Sequence, residues 1–223
     1  MSKIKHFLKS HPRLLSAFFA CYNALPWNNR IKRKKHNKVL VKGLMQHCKI
    51  TFCGKNNTVE IRDGAILKNC TMRIAGNGNH IVFCERSFAK GADLCTEDDE
   101  NRIEIGQRTN LCGKIHLAAI EGTKILIGED CLFSSEIVFR TGDSHSILDL
   151  EGNRTNPSQD IVIGDHVWLG HRVLINKGVE LGANNIVGTA AVVTKSIPET
   201  HSVIAGIPAK VVKTGVNWDK ERK

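Results

Sequence analysis

The sequence predicts an all-β solenoid, a stack of triangular coils with a helical segment before it and one loop thrown out of it. Three observations predict this. Six consecutive hexads begin on an aliphatic residue, at Ile163, Leu169, Ile175, Leu181, Val187 and Val193, and Gly follows in four of the six. A longer step runs through the N-terminal half, where Val59, Ile81, Ile103 and Ile125 stand 22 residues apart. Aromatics make up only 5% of the chain, while there are 19 glycines. That balance suits tight, repeated turns around small aliphatic layers, not a sandwich filled with Phe and Trp.

A period of six is one short strand plus one turn, and three such units close a coil of about eighteen residues. The inward aliphatic residue stacks on its copy one coil away. A single coil cannot bury that face alone, so stability comes from stacking. Gly sits where the turn needs backbone angles that other residues resist. The 22-residue step reads as the same coil with extra residues at one corner. The next match to Ile125-Leu126-Ile127-Gly128 is Ile161-Val162-Ile163-Gly164, 36 residues on. The excess predicts a polar loop over residues 142–159, and long loops on rigid scaffolds often carry function.

Charge divides the chain. There are 32 Lys and Arg against 22 Asp and Glu, a net of +10. Residues 1–38 hold ten of the basic residues and no acid, which leaves the remainder balanced at 22 against 22. A nucleic-acid-binding body would spread its basic footprint over the fold, so nucleic acid is not expected as a partner. The reading gives a basic, mostly helical segment at 1–38, the solenoid at 39–213 and a polar tail at 214–223. The apolar run Leu14–Cys21 is too short to cross a bilayer, which needs about 20 apolar residues. A helix over roughly residues 4–24 fits the spacing of Leu8, Leu14, Leu15, Phe18, Phe19 and Tyr22. Two readings stand side by side. The helix and the cluster Arg30–Lys35 meet an anionic membrane surface, or the helix is a cap packed on the first coil. The eight Cys form no CxxC pair and read as buried small hydrophobes in a reducing compartment, with Cys112 and Cys131 in the core.

Three segments carry a resemblance: Phe139-Arg-Thr-Gly-Asp-Ser-His145-Ser-Ile147, Val167-Trp168-Leu-Gly170 and Ala205-Gly-Ile-Pro208-Ala-Lys210. Their order and spacing resemble the hexapeptide-repeat acyltransferases, which are left-handed parallel β-helices. The similarity is to the branch that O-acetylates sugars and capsular, lipopolysaccharide or polysialic-acid glycans. It is specific over roughly residues 100–213, looser over 40–100 and absent over 1–38. It departs at Thr189-Ala190, where the family often has Ala-Gly or Ala-Ser. It departs also at Asn185, an inward position usually apolar, which suggests a polar ladder or a corner bond.

The resemblance implies an O-acetyltransferase that uses acetyl-CoA as co-substrate, needs no metal and acts as a homotrimer with each site between two chains. Acyl transfer from a thioester to a hydroxyl needs a base near neutral pKa, which suits histidine. By resemblance that base is His145; an acceptor must orient its second ring nitrogen, and Asp143 is one candidate. The oxyanion donor is the backbone N–H of His171, and one such donor contributes about 3 kcal/mol. Trp168 lies by thioester and acceptor, or else packs on the loop or a neighbouring subunit. Gly170 and Thr189 allow close approach of the pantetheine arm, and Lys195, Lys210 and Lys213 face the phosphates. No GxxxxGK[ST] phosphate loop is present. Arg140 and Asp143 are candidates for contact with the acceptor, although an exposed Arg beside a turn is ordinary. The acceptor is a glycan or sugar: a sialic acid, a hexose in a lipid-linked unit or a nucleotide sugar. The donor implies the cytoplasm, and the basic segment the inner membrane face. Two other classes compete. One is a zinc carbonic anhydrase of this fold, using His116, His145 and His166 or His171. The other is a β-helix without catalysis.

Overall fold

The computed structural model describes residues 12–25, 27–32 and 35–221. A helix, α1 (Pro12–Asn23), precedes 24 short strands arranged in three sheets of eight, seven and nine strands. Up to Val192–Val193 every third strand joins the same sheet, and pairing between the strands is parallel apart from the closing hairpin of Ser202–Gly206 and Ala209–Thr214. The chain therefore winds as a three-sided parallel β-helix; its sides are here called sheets A, B and C.

The repeats are the register. Val59, Ile81, Ile103, Ile125 and Ile161 pair in one column of sheet B, so the jump of 36 residues skips no coil. Phe133, Leu169 and Val187 form a column in sheet C, and Phe139, Ile175 and Val193 one in sheet A. All of these are buried. Burying one such side chain fully is worth about 1.5–3 kcal/mol relative to exposure, and the column repeats that contribution coil after coil.

The extra residues of the 22-residue coils lie at the corner from sheet A to sheet B, at 53–57, 75–79 and 98–101. A buried amide ladder holds that corner. The Asn57 side-chain oxygen accepts the Asn79 N–H at 2.8 Å, Asn79 accepts that of Asn101 at 2.9 Å, and Asn101 accepts that of Thr123 at 3.1 Å. Asn185 does the equivalent work at another corner. It donates to the carbonyls of Gly182 and Glu199 and accepts the Ser202 N–H, which settles its inward position as a corner bond.

Several boundaries differ from expectation. Strand pairing begins at Arg30–Lys32, not after residue 38, because these residues add a strand to the exposed edge of Lys49–Phe52. Of the helix expected over 4–24, Pro12–Asn23 is observed, and residues 1–11 lie outside the described residues. α1 caps the first coil. Phe19 is buried there, and the Asn23, Asn28 and Asn29 side chains accept the N–H groups of Met45, His47 and Cys48. An open strand edge would otherwise leave those donors unpaired. Among the described residues no helix is long and apolar enough to cross a membrane. Cys48, Cys70, Cys84, Cys95 and Cys131 are buried, and burial pushes the Cys131 thiol up to about 11. Cys112 is exposed, contrary to its expected core position, because it falls just past Leu111, on the outward side of a corner.

Candidate active site

The long loop leaves sheet A after Arg140 and rejoins sheet B at Ile161, at the corner where earlier coils carry their extra residues. Its base is closely built. The buried Thr141 hydroxyl accepts the Ile120 N–H at 3.0 Å and the Thr123 hydroxyl at 2.6 Å. A Cβ on Gly142 would stand 2.2 Å from Ser158 Oγ and 2.5 Å from Ile120 Cδ1, so a larger residue there would have to displace both side chains.

Asn156 ties the loop to itself. Its Nδ2 donates to Asp143 Oδ2 at 2.7 Å and to the His145 carbonyl at 2.8 Å, and its Oδ1 accepts the Ile147 N–H at 2.7 Å. Lys177 Nζ, from the next coil, reaches Asp143 Oδ2 at 2.5 Å and the Asn156 carbonyl at 3.1 Å. Arg154 pairs with Glu121 at 2.9 Å and anchors the returning limb. The Lys177 ammonium, then the Asn156 amide, hold the Asp143 carboxyl below the usual carboxylate range. Asp143 is thus engaged by Lys177 and Asn156 and makes no bond to the His145 ring. The backbone of His145 is fixed, while its side chain is exposed and its imidazole bonds to none of the described residues.

His171 lies at the corner from sheet C to sheet A. Its Nδ1 sits 2.9 Å from the Ser135 hydroxyl and 3.1 Å from the Ser135 carbonyl, and its own carbonyl accepts the Ala190 N–H. Its N–H finds no acceptor among the described residues, as is also true of Ser135 and Thr189 at the same corner. Trp168 points outward from sheet C. A Cβ on Gly170 would stand 2.8 Å from Thr189 N and 3.0 Å from Val187 O, so the stacking of coils alone requires this glycine. Thr189, Lys195, Lys210 and Lys213 are all exposed on the C-terminal coils and hairpin, and among the described residues none of these lysines makes an ion pair.

Apart from the three lysines of the C-terminal coils and hairpin, the predicted residues fall into two groups. Arg140, Asp143 and His145 lie at the corner between sheets A and B. Trp168, Gly170, His171 and Thr189 lie on sheet C and its corner with A. The register Val138–Leu174 and Phe139–Ile175 sets the groups at opposite edges of sheet A. Its four-residue strand Ile137–Arg140 spans roughly 13 Å. The histidines named for a zinc site are likewise dispersed: His116 bonds Asp93, His166 stacks on Trp218, and His171 bonds Ser135.

Three residues escaped the sequence reading. Asn156 precedes Pro157, a turn signal that marks the place but not the bonds. Lys177 sits in an ordinary hexad turn. Trp218, in what reads as a polar tail, is buried against the solenoid. Its Nε1 donates to the His166 carbonyl at 2.8 Å, its ring stacks on His166 at 4.3 Å, and it tilts toward Trp168 at 6.0 Å. Lys220 then pairs with Asp130 at 2.6 Å. The tail is a strap over sheet C.

Comparison with known proteins agrees with this architecture. No family model matches the chain. A polysialic acid O-acetyltransferase of Neisseria meningitidis is 35% identical over 173 residues, 77% of this chain and 80% of the relative. The crystal structure of the polysialic acid O-acetyltransferase OatWY is 31% identical, with a TM-score of 0.67 over 88% of this chain and 90% of that one. The polysialic-acid-specific acetyltransferase NeuO superposes with a TM-score of 0.74 at 28% identity, over 88% of this chain and 87% of that one. With its hexads, its three-sided solenoid and these relatives, the chain belongs to the hexapeptide-repeat acyltransferases of left-handed β-helix fold, in the branch of sugar and polysaccharide O-acetyltransferases.

Proposed function

We propose that the protein transfers an acetyl group from acetyl-CoA directly to a hydroxyl of a surface polysaccharide, at sites completed between copies of a homotrimer in the cytoplasm. The observation that carries this reading is the free imidazole of His145 on a loop pinned at both of its limbs. A structural histidine would be bonded; this one is held by its backbone and offered by its side chain.

Acetyl-CoA supplies a thioester carbonyl and a thiolate leaving group. His145 removes the proton from the acceptor hydroxyl as that oxygen attacks the carbonyl carbon. The His171 N–H donates to the carbonyl oxygen as negative charge builds there. Collapse breaks the carbon–sulfur bond, and the proton held by His145 passes to the departing sulfur. No acyl-enzyme is required. Lys195, Lys210 and Lys213 suit the phosphates as point charges, being exposed and without an ion pair. Since His145 and His171 of one chain stand at opposite edges of sheet A, the reading pairs His145 of one protomer with His171 of its neighbour. The exposed Ile147, Leu148 and Leu150 on the loop suit burial in that contact.

The polymer is favoured over a free sugar or nucleotide sugar by the polysialic acid O-acetyltransferases among the relatives and by Arg140, exposed at the foot of the loop. The test is release of CoA with polysialic acid, lipid-linked oligosaccharide and free sugars as acceptors, comparing the natural chain with His145→Ala. A loss of about 10²–10⁴-fold is expected. Turnover unchanged in the variant overturns the assignment, and faster turnover with a free sugar overturns the polymer.

A further inference from the structure

The N-terminal pole of the solenoid has a composition unlike any other part of the molecule. The first acidic residue is Glu60, and 13 Lys and Arg precede it. Arg30, Lys32, Lys35, Lys38, Lys42 and Lys49 are exposed on the first coils, and among the described residues none makes an ion pair. Large apolar side chains project beside them. Trp27 is 76% exposed, Leu40 52% and Phe18 48%. Capping accounts for Phe19, which is buried, but not for its neighbour Phe18, which is half exposed and stacks with Tyr22 at 6.1 Å.

We infer that this pole docks on an anionic lipid bilayer, with Phe18 and Trp27 entering the headgroup layer and the cations lying against lipid phosphates. The two features support one partner. Cations without acids suit any polyanion, but exposed aromatic side chains on a helix and the turn after it suit an interface that is polar outside and apolar within. Residues 30–32, residues 35–38 and the end of α1 lie at one end of the prism, because the strand Arg30–Lys32 and the strand Lys38–Val41 are the outermost members of sheets A and B. The loop bearing His145 follows the sixth strand of sheet A, five strand spacings from that end, or about 24 Å. A docked molecule would hold its loop clear of the headgroups. If the proposed acetyl transfer is correct, the acceptor hydroxyl lies several sugars out from a lipid anchor.

The inference is tested by sedimentation of the full chain with vesicles of phosphatidylcholine containing 30% phosphatidylglycerol, against pure phosphatidylcholine. This readout needs no turnover, so it fails or succeeds independently of the proposed activity. Binding is expected to the anionic vesicles and not to the neutral ones. Lys35→Glu with Lys38→Glu should weaken it by roughly 25-fold or more, at about fivefold per cation. Phe18→Ser with Trp27→Ser should weaken it at least tenfold and abolish quenching of tryptophan fluorescence by brominated lipid. Equal binding to neutral vesicles, or none to anionic ones, overturns the inference. So does binding of soluble polysialic acid or heparin that depends on Lys35 and Lys38 but is indifferent to Phe18 and Trp27, since the pole would then be a glycan site. Both double variants alter exposed residues, and retention of the natural melting temperature excludes misfolding as the cause of lost binding.

Discussion

The corner between sheets A and B is built in two ways along the same prism. At 53–57, 75–79 and 98–101 the extra residues fold down onto Asn57, Asn79 and Asn101, whose buried amides bond backbone above and below. At 141–160 the ladder ends in the hydroxyl pair of Thr123 and Thr141, and the chain leaves the corner altogether. There Asn156 performs the same chemistry on the loop itself. The difference teaches what a buried amide can do in a solenoid. Bonded to neighbouring coils, it makes a corner rigid; bonded within a loop, it presents one side chain, His145, and leaves that side chain unbonded.

The comparison can be broken experimentally. The largest effect belongs to the presented group. His145→Ala should lower kcat by about 10²–10⁴-fold and leave the melting temperature where it was, because the ring bonds to none of the described residues. A large fall in melting temperature would show the side chain to be structural. Next comes the rigid corner. Asn79 takes the Asn101 N–H and donates to the Ala75 and Asp98 carbonyls. Asn79→Ala should cost about 2–4 kcal/mol of stability by leaving those buried groups unpaired, with kcat at 25 °C little changed. Calorimetry that finds the variant as stable as the natural protein would remove the ladder from the account. Asn156→Ala should show the opposite pattern, with a kcat reduced about tenfold as the loop loses its tie and global stability lowered by about 1 kcal/mol or less.

The smallest effect is that of pH on the loop. Lys177 and Asn156 hold the Asp143 pKa below its unfolded value. The stabilisation is therefore fully present above the unfolded value of about 4 and is lost as pH falls through the lower, folded one. With Asp143 largely open to solvent the pair is worth about 0.5 kcal/mol. Hydrogen exchange of the loop amides between pH 5 and pH 2 should rise relative to the solenoid in the natural protein, and Asp143→Asn should show raised exchange at every pH. Identical profiles for the two proteins would dissociate Asp143 from the loop's order.

Much of the fold was legible because a solenoid translates sequence period into space. The inward column Val59, Ile81, Ile103, Ile125 and Ile161 could be read before any coil was seen, and the excess between the last two located the loop. The loop also carried the His145 segment, so the candidate base was readable with it. The rest of the site was not. That Asp143 is engaged by Lys177 depends on the coil after the loop, 34 residues on. That Trp218 lies over His166 and beside Trp168 depends on a contact across 52 residues. Neither has a period or a local motif. The N-terminal segment was half legible. Its charge and its apolar spacing were plain, but the cap made by Asn23, Asn28 and Asn29 exists only against the first coil.

By itself the sequence determined the number of sides, the register of the coils, the place where the chain departs from them and the histidine it carries there. Each of these follows from residues spaced at a fixed interval, since stacking identical coils rewards the same residue type at the same turn. Tertiary structure decided what that spacing does not encode: which partners hold the loop, where the tail returns, and that His145 and His171 stand at opposite edges of one sheet. Those outcomes rest on single polar bonds and ring contacts between distant segments, whose energies depend on distance and direction rather than on period.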